Sequence, residues 1–205
     1  MHPRPLAAAA ALALAAACIA AACIAAPMTA GAQTLSERQA RDQVAAPRGT
    51  DVRVADLPWI TGEVRQQIER ELGDYPYYAA LVMSPGDPGA TPAGGAIVNF
   101  HSPEAATRAA LAACNAQRTS GPDCVVVAQV LPRRYQGGRL TLSRAATDAL
   151  RGDFGRLDSP KALAISPATG AFSFARGDGT RALASCNAKA AEQGAQDCRI
   201  VVAEQ

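Results

Sequence analysis

Beyond residue 32 the chain carries four cysteines, Cys114, Cys124, Cys186 and Cys198, and one histidine, His101. Such residues serve as nucleophiles, metal ligands or disulfide partners. Zinc sites want tight Cys-x-x-Cys spacing or histidine partners, and neither occurs here. A cysteine nucleophile needs a neighbouring base, and one histidine cannot serve two cysteine pairs equally. Disulfides fit best, with three possible connectivities.

The remaining chemistry-bearing side chains come in pairs. Ser84 and Ser166 each precede a proline. A serine nucleophile needs an activating base and an oxyanion hole, and no Gly-x-Ser-x-Gly elbow is present, so both read as turn residues. Asp74 and Asp153 follow glycines at helix ends, and Asp123 and Asp197 precede cysteines. Paired carboxylates can flank a bond to be hydrolysed, but turn and cap bonding accounts for them more simply. His101, between a strand end and a helix start, reads as a surface loop residue. There is no Walker loop, Rossmann glycine pattern, calcium loop or zinc-protease motif. No catalytic residue, metal ligand or cofactor is therefore assigned. Recognition has better candidates: Trp59, Tyr77 and Tyr78 as anchoring aromatics, and Arg133, Arg134, Tyr135 and Arg139 in a basic stretch.

These residues sit on a pattern that runs twice, over residues 57–131 and 132–205. Each half opens on Leu-Pro, then has a short amphipathic segment closing at Leu72-Gly73-Asp74-Tyr75 or Leu150-Arg151-Gly152-Asp153-Phe154. An apolar run to Ser-Pro follows, ending at Ser84-Pro85 or Ser166-Pro167. An Ala-rich segment then carries Cys-Asn-Ala, at 114–116 and 186–188. Asp-Cys and a β-branched run close each half, at 123–127 and 197–202. The register drifts through loop insertions, as in a duplicated domain. Duplication favours Cys114–Cys124 and Cys186–Cys198, one bridge per half across a loop of about ten residues, worth ~2–3 kcal/mol each on the chain-entropy account. The stretch Arg133–Arg139 has no counterpart in the first half, and insertions of this kind map to loops that carry function.

Apolar spacing predicts helices over 62–73, with Val64, Ile68 and Leu72 in one stripe, and from the N-cap Ser143 to Gly152. Ser102-Pro103-Glu104 announces a helix to about Gln117, and Thr180 to Glu192 repeats it. Strands are expected at 77–84, 95–100 and 124–131, then at 161–166, 171–175 and 198–203. The fold class is thus α+β: a duplicated helix-strand-strand-helix-strand unit, with antiparallel-rich sheet or sheets and helices on one face. Whether the halves share one sheet stays open.

The N-terminus reads as a signal peptide over residues 1–32, with Arg4, an Ala/Leu-rich run to Ala26 and Ala30-Gly31-Ala32 before cleavage at Gln33. Two alternatives are retention as an anchor and lipidation at Cys18 or Cys23. Residues 33–56 read as a flexible polar leader. Half one has four basic and seven acidic side chains and half two eleven and seven. That asymmetry suits docking of the halves, a basic face for an anionic partner, or chance on a solvated surface. The near-zero balance of the exported part argues against nucleic acid as a partner.

Ala162-Leu163-Ala164-Ile165-Ser166-Pro167, Gly170-Ala171-Phe172, Arg181-Ala182, Cys186 and Asp197-Cys198-Arg199-Ile200-Val201-Val202 together resemble a bacterial exported family defined only as a domain of unknown function. The first half fits less well because of its long 86–95 loop. The resemblance implies an exported, disulfide-bonded, small α+β unit and supplies no mechanism. The expected function is a non-enzymatic binding protein, periplasmic or secreted. Its partner would be another envelope or secreted protein, met in the manner of an inhibitor or immunity protein. The alternatives are a membrane-tethered envelope accessory protein and a hydrolase using the duplicated carboxylates.

Overall fold

The apolar run after Tyr78 has no polar side to offer water, so it belongs inside a sheet. In the computed structural model, which describes residues 34–45, 49–85, 93–137 and 140–205, that is its position. Strand β1 (Thr50–Val54) borders a four-stranded antiparallel sheet completed by β2 (Ala79–Met83), β3 (Gly94–Ile97) and β4 (Val125–Pro132), in the order β1-β4-β2-β3. A second, separate sheet holds β5 (Lys161–Ile165), β6 (Phe172–Arg176) and β7 (Arg199–Glu204), in the order β6-β5-β7. All five residues of β5 are buried. The fold is α+β with antiparallel sheets, and each half keeps its own.

The helices are α1 (Glu37–Gln43), α2 (Gly62–Leu72), α3 (Pro103–Gln117), α4 (Arg144–Arg151), the single turn α5 (Asp153–Arg156) and α6 (Thr180–Ala191). Their caps are those the sequence announces. Thr61, Ser102 and Ser143 each accept the backbone N–H three residues on, which satisfies a group the helix cannot pair itself.

The expectation of helices on one face is corrected. Ile68 and Leu72 of α2 pack with Ala79, Leu81, Ala128 and Val130. Ala106, Ala110 and Cys114 of α3 pack with Ala80, Val82, Ile97 and Val126. Alternate residues of a strand point to opposite faces, so α2 and α3 sandwich the first sheet. In half two, Ala146 and Leu150 of α4 with Phe154 cover Leu163 and Ile165, while Ala182 and Cys186 of α6 cover Ala164. Uninterrupted apolar runs in β2 and β5 call for cover on both sides, which one helical layer cannot give.

Both halves share finer features. Each central strand slips register once: Leu81 pairs with Ala128 but Val82 with Val126, and Leu163 pairs with Val202 but Ala164 with Ile200. Val127 and Val201 are the extra residues of these bulges. The disulfides are Cys114–Cys124 and Cys186–Cys198, with S–S distances of 2.00 and 2.04 Å. Each ties a helix to the strand after it. The asparagine of each Cys-Asn-Ala motif accepts the N–H of the second cysteine, Asn115 Oδ1 from Cys124 at 3.0 Å and Asn187 Oδ1 from Cys198 at 3.1 Å. The Tyr77–Tyr78 and Ser159–Pro160 peptide bonds are cis.

The described residues 34–45 and 49–56 do not form a flexible leader. Ser36 and Gln39 form a reciprocal capping box that starts α1. Leu35 bridges Val202 on the outer edge of β7, donating to Val201 O at 2.9 Å and accepting from Ala203 N at 3.0 Å. β1 then runs along the outer edge of β4, from Thr50 opposite Pro132 to Val54 opposite Ala128. The segment thus covers the corresponding edge in both halves, edges that would otherwise offer unpaired backbone to other chains. Five-residue strands and a two-turn helix carry too little periodicity to show in the sequence. Cys18, Cys23, the signal peptide and its cleavage site before Gln33 lie outside the described residues. Among the described residues no helix is long and apolar enough to cross a membrane.

Lys161 fastens this segment. It is 5% exposed, with Nζ 2.7 Å from Glu37 Oε2, 3.0 Å from Phe154 O and 4.8 Å from the Phe154 ring centre. Glu37 also pairs with Arg41 at 2.6 Å. Burial pushes the Glu37 carboxyl up, but the two cations outweigh it and hold it below its usual range. Lys161→Met keeps the stem and strands the carboxylate. A loss of about 2–4 kcal/mol is expected in urea unfolding, under the ~3–5 of fully buried pairs because Arg41 remains. Adding Glu37→Gln should restore part of it, and no recovery would mean the pairing is not the source.

Candidate functional site at the seam between the halves

Helix α4 opens half two, and its first backbone N–H groups must find acceptors. Half one supplies them. Ser143 N donates to His101 Nδ1 at 3.0 Å, Arg144 N to Tyr77 O at 3.2 Å and Ala145 N to Asn99 Oδ1 at 3.1 Å. Only Ala146 N turns to its own helix, donating to Ser143 Oγ at 3.2 Å. Asn99 holds φ at 62° to reach this position, a left-handed conformation that asparagine tolerates. Gly170 packs so closely here that a Cβ would lie 2.2 Å from Asn99 O.

His101 is therefore interior, not a surface loop residue. It is 2% exposed. Its Nε2 lies 2.9 Å from Ala171 O. A carbonyl only accepts and an N–H only donates, so Nε2 carries the proton and Nδ1 the lone pair. Burial pushes the imidazole pKa down to about 4, outweighing the Ala171 carbonyl and the more distant Asp197 charge. No ion pair among the described residues joins residues 57–131 to 132–205. The charge asymmetry does not dock the halves; neutral hydrogen bonds do.

Beside this seam lies a cleft of about 250 Å³. Residues 43–45 at the end of α1 form one wall, Tyr78 another, and Arg133 to Gly137 with Leu140 and Thr141 the rest. Sequence reasoning singled out Tyr78, Arg133, Arg134 and Tyr135, and the structure brings these four together. Arg134 has φ 61°, and its N–H donates to Asp51 Oδ2 at 3.1 Å. Gly49, with φ 74°, lets the Arg133 guanidinium pack on it: a Cβ there would meet that group at 3.0 Å. Tyr135 stacks edge-on against Tyr78, and Tyr78 against Tyr77, each pair 5.4 Å apart.

The other candidates separate. Tyr77 is fully buried, a correction to its reading as a recognition residue: its ring fills the core under α4. Its hydroxyl, with Thr147 nearby, makes no hydrogen bond of normal geometry. Trp59 is 39% exposed and is not part of the cleft wall. Arg139 lies outside the described residues. Gln43, Val44, Ala45, Leu140 and Thr141 were missed. Only the fold brings them to the loop, and nothing in their spacing marks them.

Most of the chemistry-bearing pairs are engaged in local bonds. Ser84 Oγ donates to Pro122 O at 2.7 Å. Ser166 Oγ donates to Asp197 Oδ1 at 2.5 Å, and Asp197 Oδ2 accepts Ala168 N at 2.9 Å. Both ring nitrogens of His101 are held by backbone, so Ser166 has no imidazole base. Asp123 pairs with Arg118 and Asp153 with Arg156, while Asp74 is exposed. Among the described residues no group of three or more His, Cys, Asp or Glu side chains is placed to hold a metal.

In comparisons with known proteins, no family model, no curated protein and no solved structure matches this chain. The resemblance to an exported family therefore rests on the quoted motifs alone.

The buried neutral histidine has a signature in acid. Unfolded, its pKa is near 6.5, and folded about 4, so between these values the unfolded chain binds the extra proton. Stability from this group is full above pH 6.5, falls as pH drops and is gone near pH 4. The span corresponds to about 3 kcal/mol. Unfolding free energy should decline over this window, and the decline should flatten in His101→Gln. An equal slope in both proteins would place the titration elsewhere.

Proposed function

We propose that the chain is an exported binding protein that engages another envelope or secreted protein through the 133–137 loop and the cleft beside it. Residues 1–32 direct export and are removed before Gln33. The two disulfides support an oxidising compartment, since such bonds persist outside the cytosol. They also fasten each helix–strand pair, leaving a scaffold whose variable part is a loop.

The observation that carries the reading is the state of the arginines. Among the described residues neither Arg133 nor Arg134 has an acidic partner for its guanidinium, yet both are exposed and wall a cleft shared with Tyr78 and Val44. Arginine and tyrosine on a pre-formed surface are the side chains that anchor protein interfaces. Binding at such a site costs little ordering of the protein. Arg144, Arg156, Lys161 and Arg176 of half two pair with acids of this chain, whereas Arg133 and Arg134 do not and suit an acidic partner.

A photo-crosslinking amino acid at Gln136, in the exposed loop, should give one adduct of defined mass when the oxidised protein is exposed to light in the native envelope. The same group at Glu69, on the outer side of α2, should give none. The Gln136 adduct should fall about tenfold or more in Arg133→Glu with Arg134→Glu, because charge reversal turns attraction into repulsion. Identical adducts from both positions, or none from Gln136, would overturn the assignment of this surface.

A further inference from the structure

We propose that the seam cleft is a carboxylate pocket that takes the free C-terminal end of the partner chain. The inference rests on the binding surface assigned above and names the group that surface recognises.

Three observations converge. The first is charge. Arg133 and Arg134 both line one small cleft, and among the described residues neither guanidinium pairs with a carboxylate; Asp51 is engaged by the Arg134 N–H. The planar guanidinium fork matches a carboxylate with two parallel hydrogen bonds. The Arg133 guanidinium packs against Gly49, where a Cβ would meet it at 3.0 Å.

The second is an unused donor. Tyr78 is 2% exposed, yet it lines the cleft. Its hydroxyl has no hydrogen-bond partner among the described residues, and it is not among the sealed polar atoms either. That hydroxyl is the polar group that Tyr78 brings to the cleft wall. Burial, with the neighbouring tyrosines and Glu104, raises its pKa above the usual tyrosine value, so it stays an O–H donor. A tyrosine O–H on the wall of a cleft can donate to a carboxylate placed there.

The third is size. At about 250 Å³ the cleft is smaller than the ~300–1,000 Å³ of pockets for drug-sized ligands, which suits one terminal residue and its carboxylate. An internal acidic side chain would need chain entering and leaving. Leu140 and the Tyr135 ring supply an apolar wall, so a terminal residue with an apolar or aromatic side chain fits best. Capture of a chain end by its carboxylate is a recurrent mode of peptide recognition.

The test titrates the oxidised chain with acetyl-Ala-Ala-Phe bearing a free carboxylate, its C-terminal amide, and acetyl-phenylalanine, followed by NMR. The free acid should bind saturably. The amide should bind about tenfold or more weaker, the scale expected when charge-assisted hydrogen bonds are lost. Tyr78→Phe, which keeps the ring and removes only the unpartnered hydroxyl, should weaken the acid about fivefold or more and leave the amide unchanged. Arg133→Gln and Arg134→Gln on the exposed loop should each remove the acid–amide difference in part. Equal binding of acid and amide, or no saturable binding of either, would overturn the carboxylate pocket. Equal binding of acetyl-phenylalanine and the tripeptide would overturn the chain-end assignment, making the ligand a small free carboxylate. If the Gln136 adduct forms while the acid shows no preference, the partner surface stands and only its carboxylate assignment falls.

Discussion

A buried helix end cannot leave its N–H groups unpaired, and the way α4 meets that demand shapes the molecule. His101, Tyr77 and Asn99, all from the first half, supply the acceptors at the start of the second half's first helix. His101 also reaches on to Ala171 in the turn between β5 and β6. One side chain thus fixes the position of a helix and a hairpin relative to the sheet that precedes them. The ring must be neutral to do this, and burial keeps it so. Because the bonds involve no ion pair, salt has little to screen. The halves are joined by geometry more than by charge.

The segment before half one completes the joint. Leu35 pairs on the edge of β7, β1 pairs on the edge of β4, and the Glu37–Lys161 contact anchors the helix between them. Residues 43–45, at the end of that helix, then become a wall of the cleft. The cleft has three contributors: the N-terminal segment, Tyr78 from half one and the 133–141 region from half two. No part of the chain alone contains the site. A site built between packed elements is held more precisely than one on a free loop.

Much of this was legible in the sequence, and the failures have physical causes. The cysteine pairing could be read because spacing and recurrence both constrained it. Ser102-Pro103-Glu104 and Ser143 marked helix starts because capping is local chemistry. The four residues of the cleft that were singled out were noticed as an unmatched basic stretch and an aromatic cluster. The rest depended on contacts distant in sequence. His101 pairs with residues 42 and 70 positions away, and a lone histidine in a loop carries no sign of that. The N-terminal segment looked unstructured because its strand is half-buried at an edge and its order comes from distant partners, Pro132 for Thr50 and Val202 for Leu35. The second helical layer was hidden because an all-apolar strand shows that it is buried but not what covers it. Lys161 read as the polar start of a strand, whereas Glu37 and Phe154 draw it inside.

The account's central claim is that the first turn of α4 is held by half one, so that the seam opens only when the whole unit unfolds. Native-state hydrogen exchange of the Ser143, Arg144 and Ala145 amides tests it most directly. The account predicts that all three exchange with the free energy of global unfolding, alongside the amides of β2 and β5. Exchange of these three at a much lower free energy, while β2 and β5 stay protected, would contradict it: the halves would be separable bodies and the cleft between them would not be a fixed site.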